Sequence, residues 1–172
     1  MNLTAEKNIT FEEAISLTEN FINQISQLSE EKKETIVSCL VLSENGARGF
    51  FVTYLTSDNA MVDQKSSGII EGLKTSPEIV SELLVKNIAM STAMKITHER
   101  NENLEMSEKS ARVTQRSLNL IQELSMPQIE EKIAFVGMGA TFQLWNPNLF
   151  EKRQKEAREI LKNKRKEKEM EK

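Results

Sequence analysis

A mainly helical protein is expected from this sequence: a helical body, then a short C-terminal β-hairpin and a terminal charged helix. Glycine and proline number only six and three in 172 residues, and scarcity of these turn-makers favours helices over an all-β fold. Aromatic residues make up 5% of the chain and hydrophobic residues 38%, so the core rests on Leu, Ile, Val, Ala and Met. Apolar positions recur at helical spacing through most of the first 124 residues.

Thr10-Phe-Glu-Glu13 is a capping box: the threonine hydroxyl can accept from the third helical N–H and Glu13 can reach back. Apolar residues at 11, 14, 15, 21, 22, 25 and 28 follow, placing a first helix at 11–28. Ser29 caps a second, at 30–43, with Ile36, Val37, Leu40 and Val41 on its apolar face. Asn45-Gly46 marks a break. The run Gly49 to Thr56 is rich in β-formers but lacks alternation, so it reads as helix in a helical context. Residues 57–68 read as a loop. Ser76-Pro77-Glu78 starts a long helix that runs to Arg100 and presents Ile79, Val80, Leu83, Leu84, Ile88, Met90 and Met94. Ser107 caps a helix at 107–124, with Ala111, Leu118, Ile121 and Leu124 inside, and Pro127 stops it. Ile133–Val136 and Ala140–Trp145 flank Gly137-Met-Gly139 as the two strands of a hairpin. Asn146-Pro147 then opens a charged helix at 148–168. The change of pattern near Pro127 divides the chain into a helical body, 1–126, and a hairpin plus basic helix, 127–172.

The net charge is −3, but unevenly distributed. Residues 151–172 hold ten Lys and Arg against six Glu, whereas the first 150 hold thirteen basic and twenty acidic residues. An acidic body repels nucleic acid and a basic tail attracts it. A single cysteine, Cys39, excludes an internal disulfide and fits a reducing compartment. The N-terminus has no basic-then-apolar leader, and no window approaches eighteen consecutive apolar residues. A cytoplasmic location without membrane contact is therefore expected.

Catalytic chemistry finds little to work with. One histidine, His98, and one cysteine do not make a zinc site, and nothing local pairs them as nucleophile and base. Gly137 and Gly139 sit between two expected strands, not between a strand and a helix N-terminus, so a hairpin turn is the better reading than a phosphate cradle. Met90 and Met94, four apart, form either a core seam or a groove for a partner helix. Arg48, between glycines, is either a surface residue or an anion contact. No enzyme activity, cofactor or metal is expected.

The C-terminal segment resembles the end of the MraZ family of transcriptional regulators over about 129–160. The features are Phe135-Val-Gly-Met-Gly139, Thr141-Phe-Gln-Leu-Trp145, and Asn146-Pro147 followed by Phe150. The resemblance implies an AbrB-like swapped-hairpin element, hence an α+β alternative for the fold, and DNA binding. That family reads DNA through an Asp-x-x-Gly-Arg turn, whose nearest counterpart here is Glu108-Lys-Ser-Ala-Arg112-Val, without the glycine. Residues 44–56 and 76–87 resemble cyanobacterial proteins of unassigned function, which implies no activity. The leading expectation is a non-enzymatic DNA-binding regulator using Lys109, Arg112 and Arg116 together with Lys152, Arg153 and Lys155 of the tail. Its alternative is a helical protein–protein interaction module without nucleic-acid binding. Partners are then DNA, a second copy of the chain in a homo-oligomer, or another protein.

Overall fold

The computed structural model describes residues 9–136. Among them are seven α-helices and no strand: α1 (Phe11–Gln24), α2 (Glu30–Val41), α3 (Glu44–Thr56), α4 (Ser67–Lys74), α5 (Pro77–Arg100), α6 (Leu104–Leu124) and α7 (Pro127–Val136), with a short 3-10 turn at Ala60–Asp63. Residues up to Ile129 form one compact unit, and Glu130 begins a second.

Local chemistry sets most boundaries. The capping box forms in full: Thr10 N–H donates to Glu13 Oε2 at 2.9 Å and Glu13 N–H to Thr10 Oγ1 at 3.2 Å. Ser29 Oγ accepts from Lys32 N at 3.4 Å and opens α2. Pro77 occupies the first turn of α5, which ends at Arg100 as its pattern requires. Four details differ from expectation. α1 stops at Gln24 and α2 at Val41; the latter frees Ser43, whose Oγ accepts from Gly46 N at 3.1 Å and caps α3. The loop expected at 57–68 contains the 3-10 turn and the first residues of α4. Asn103, not Ser107, caps α6, accepting from Met106 N at 3.2 Å, and Ser107 is buried. Pro127 begins α7 instead of ending a segment, because a missing N–H costs nothing at a first helical position.

The β-rich run of residues 49–56 lies within α3, whose aromatic residues are buried. Phe50, Phe51, Tyr54 and Leu55 are all at most 2% exposed. Residues four apart share a helix face, so Phe50 stacks on Tyr54 at 5.1 Å between centroids, and Phe51 meets Phe50 edge-on at 5.3 Å. Strand propensity yields here to packing of the aromatic face of the helix.

The first four helices pair out of order, α1 with α3 and α2 with α4, and both pairings depend on glycine. A Cβ on Gly49 would lie 2.5 Å from Ala14 Cβ and 2.9 Å from Phe11 O; one on Gly68 would lie 2.0 Å from Glu30 O. Gly72, one turn on, faces Val37. Gly46, expected to break the chain, lies in the first turn of α3, where a Cβ would lie 2.1 Å from Leu40 O. These glycines serve close approach, not turns.

The α2–α4 contact carries a carboxylate latch. Glu30 Oε2 accepts from Ser66 Oγ at 2.7 Å, Gly68 N at 2.8 Å and Ser67 Oγ at 3.2 Å, while Lys33 Nζ donates to Oε1 at 2.6 Å. The negative group sits over the N-terminus of α4, where unpaired N–H groups favour it. Lys33, Ser66 and the Gly68 amide lower its pKa from 4.5 to about 2.

One expectation is corrected. Ile133–Val136, read as the first strand of a hairpin, are the last residues of α7. The 3.6-residue pattern that begins at Pro127 continues through them, and an apolar run of four does not distinguish strand from helix. The expected second strand, the Gly137–Gly139 turn and the charged helix at 148–168 lie outside the described residues.

Two outcomes follow. Gly68→Ala should destabilise by about 1–3 kcal/mol, the usual cost of overpacking, since the clash is with backbone; an unchanged urea midpoint would refute the α2–α4 approach. Glu30 has a folded pKa below its unfolded one, so its contribution is fully present above about pH 4.5 and is lost as pH falls toward about 2. Glu30→Gln should flatten stability across that interval, as read by thermal melts at a series of pH values.

Candidate functional site

The α5–α6 hairpin has two unlike halves. Its inner half, from Val80 to Ile88 on α5 and from Ser117 to Leu124 on α6, buries Val80, Leu84, Val85, Ile88, Leu118, Leu120, Ile121 and Leu124. Between Ile88 and Leu118 no apolar side chain is buried; the buried residues there are Ser91, Ser107, Arg116 and Ser117. The seam of the outer half is small and polar. Ser91 Oγ and Thr114 Oγ1 share a hydrogen bond of 2.7 Å across the helices, and Ser91 also donates to Asn87 O at 2.6 Å.

The large apolar groups of this half point outward instead. Among the described residues seven large hydrophobic side chains are exposed, and five of them lie here: Met90 (64%), Met94, Ile96, Leu104 (69%) and Met106. Met90, Met94 and Met106 line a groove of about 440 Å³ with Val113, closed at its inner end by Thr56, Asp58 and Arg112. Charges on the rim are already matched: Arg112 Nη1 donates to Asp58 Oδ1 at 2.5 Å, Lys109 Nζ to Glu105 Oε1 at 2.7 Å, and Lys95 to Glu99. The Arg112 guanidinium holds Asp58 below the usual carboxylate range, and Lys95 does the same for Glu99.

What seats the hairpin is Arg116. Its guanidinium clasps Asp63 with two bonds, Nε to Oδ1 at 2.7 Å and Nη2 to Oδ2 at 2.8 Å, and its Nη1 donates to Leu55 O at 3.0 Å and Ser57 O at 2.6 Å. Those carbonyls belong to the C-terminal end of α3, where helical partners run out. Asp63 is pulled below its ordinary pKa by the same guanidinium. Beside this clamp is a polar cleft of about 420 Å³ lined by Tyr54, Asp63, Lys65, Arg116 and Glu123. Its polar groups are engaged with one another: Tyr54 donates to Val62 O at 2.9 Å, and Lys65 lies 3.6 Å from Glu123. Burial pushes the Tyr54 phenol further from ionisation.

The structure thus separates the residues grouped for DNA contact. Lys109 and Arg112 lie on α6, each paired with a carboxylate, and Arg116 is 5% exposed and spent on the fold. Glu108–Val113, the counterpart of a glycine turn, is uninterrupted helix within α6. Lys152, Arg153 and Lys155 lie outside the described residues. Arg48 stacks over the Phe11 ring at 5.6 Å, tying α3 to α1. Cys39 lies in α2, half-buried, and His98 in the last turn of α5. Among the described residues no three His, Cys, Asp or Glu side chains are grouped to hold a metal, and no helix is long and apolar enough to cross a membrane. Sequence reading singled out Met90 and Met94 but missed Met106, which joins them in the groove only once the hairpin closes, and the exposed Ile96 and Leu104.

Comparison with known proteins corrects the resemblance. A family model described as "Uncharacterised conserved protein UCP020893" matches residues 10–156, and the chain belongs to that family. The match runs unbroken through the helical body and most of the segment likened to MraZ, so that segment is part of this family's own chain and not an MraZ end joined to a foreign body. No curated protein and no solved structure matches.

Removing Arg116 leaves a carboxylate and two helix-end carbonyls without their partner. Arg116→Met should cost about 1–3 kcal/mol, as stranding hydrogen-bonding groups does, less than for a fully buried pair because the Asp63 side chain is half exposed, and Arg116→Lys should recover little, since an ammonium lacks the planar fork. Arg112→Ala, at an exposed pair, should stay within about 1 kcal/mol. Equal effects of Arg112→Ala and Arg116→Met in chemical denaturation would contradict the clamp.

Proposed function

We propose that this member of the family is a non-enzymatic interaction module whose docking surface is the outer half of the α5–α6 hairpin. One observation carries the reading: this half buries serines and exposes Met90, Met94, Ile96, Leu104 and Met106. A water-facing helix pair ordinarily does the reverse. Exposed apolar groups gathered in one place mark surfaces that another molecule covers. Methionine suits such a face, because its unbranched thioether adapts to the partner's relief.

The charge pattern supports a protein partner over a nucleic acid. Phosphate recognition needs cations free to displace counterions, whereas Lys109 and Arg112 are each held by an acidic neighbour. The acidic and basic groups of the polar cleft are likewise satisfied among themselves, which leaves no evident general base or nucleophile there.

A photo-crosslinking residue installed at position 94 or 106 in cells expressing the chain should give discrete adducts. The same residue at position 42 is the control, since Leu42 is 58% exposed but belongs to the end of α2 and does not line the groove. Absence of adducts at both hairpin positions, or equal labelling at position 42, would refute the reading.

A further inference from the structure

We infer that the outer half of the α5–α6 hairpin docks onto the same half of a second copy of this chain, forming a four-helix bundle across a twofold axis. The inference rests on the docking surface proposed above and names its occupant.

Two helices joined by small polar residues form a single layer, and a helical layer is stable when a second layer covers its apolar side. Here the first layer is complete: Ser91 and Thr114 zip the seam, while Met90, Met94 and Met106 flank it in a groove that Ser91 also lines. What is missing is another pair of helices with an apolar stripe of similar length, which a second copy possesses. Packing of two such hairpins is the ordinary geometry of a four-helix bundle.

Charge selects this occupant. In a twofold contact each patch meets itself, so a patch of one sign would repel its own copy. Apart from Asp58, the chain up to residue 85 carries six Lys and Arg against twelve Asp and Glu. Contacts between copies through that surface set acid against acid. Residues 86–112, by contrast, carry five Lys and Arg against four Glu, and Asp58 on the rim offsets the remaining positive charge. These charges are also matched locally, in the pairs Glu105–Lys109, Lys95–Glu99 and Asp58–Arg112. A neutral apolar face on an acidic body can approach its own copy without electrostatic cost. A strongly acidic or basic peptide finds no complementary field there.

Sedimentation equilibrium of the purified full chain, from about 1 to about 100 μM, covers the affinity of ordinary homodimers. The expected result is twice the chain mass at the upper end. Met90→Glu/Met94→Glu, which changes two exposed side chains, should weaken association at least about thirtyfold, the effect of losing one strong contact, with circular dichroism and melting unchanged. If that variant misfolds, Met94→Lys alone should weaken association in the same direction. A chain that stays monomeric throughout overturns the inference, as does association that both variants leave intact. A monomer in solution that still gives a crosslink to a different protein at position 94 removes self-pairing and leaves the interaction module standing. No association and no adduct removes both.

Discussion

A guanidinium withdrawn from water must have its donors satisfied, and Arg116 meets this demand in a way that organises the chain. Two bonds go to Asp63 in the short 3-10 turn and two to the terminal carbonyls of α3. One side chain of α6 therefore closes the end of α3 and fixes the connection that follows it. Its own helix is fixed in return, and with it the register of the α5–α6 hairpin. The inner half of that hairpin then lies on the core. The outer half carries no buried apolar side chain.

Much of the architecture was legible because it is written in local chemistry. Thr10 with Glu13, and Ser29, each mark a helix start by reach and hydrogen-bonding capacity alone, whereas Pro77 marks one by its fixed backbone, with no side-chain bond from Ser76. What failed to be legible depends on neighbours far along the chain. Gly46 looks like a chain breaker until α2 is placed beside it, and the close approach at Gly49 exists only once α1 is in place. Arg112 and Arg116, one turn apart on α6, look equivalent as cations, yet one pairs at the surface and the other is buried. The difference lies in Asp63 and the carbonyls of Leu55 and Ser57, more than fifty positions earlier. The short apolar run at Ile133–Val136 satisfied strand and helix equally well, and the glycines at 137 and 139 tipped the reading toward a hairpin, whereas the run is helix.

The candidate site was half legible for a related reason. Met90 and Met94 are visible as a pair because four residues make one helical turn. The seam that turns them outward is not visible, since it requires Ser91 to find Thr114 on the returning helix. Serines and threonines bring two backbones together without contributing an apolar core, so larger groups on both helices are displaced to the outside. The cohesion of this half and the exposure of its methionines have the same cause.

The crossed order of the first four helices bears on how the chain can be divided. Because α1 pairs with α3 and α2 with α4, a break between α2 and α3 separates both couples at once, and neither resulting fragment retains a paired helix among the four. A break between α4 and α5 separates neither. The amino-terminal four helices are thus an indivisible segment under limited proteolysis or gene fission, whereas the α5–α6 hairpin pairs from its own sequence. That hairpin is nonetheless no separable piece, since Arg116 ties α6 to Leu55, Ser57 and Asp63.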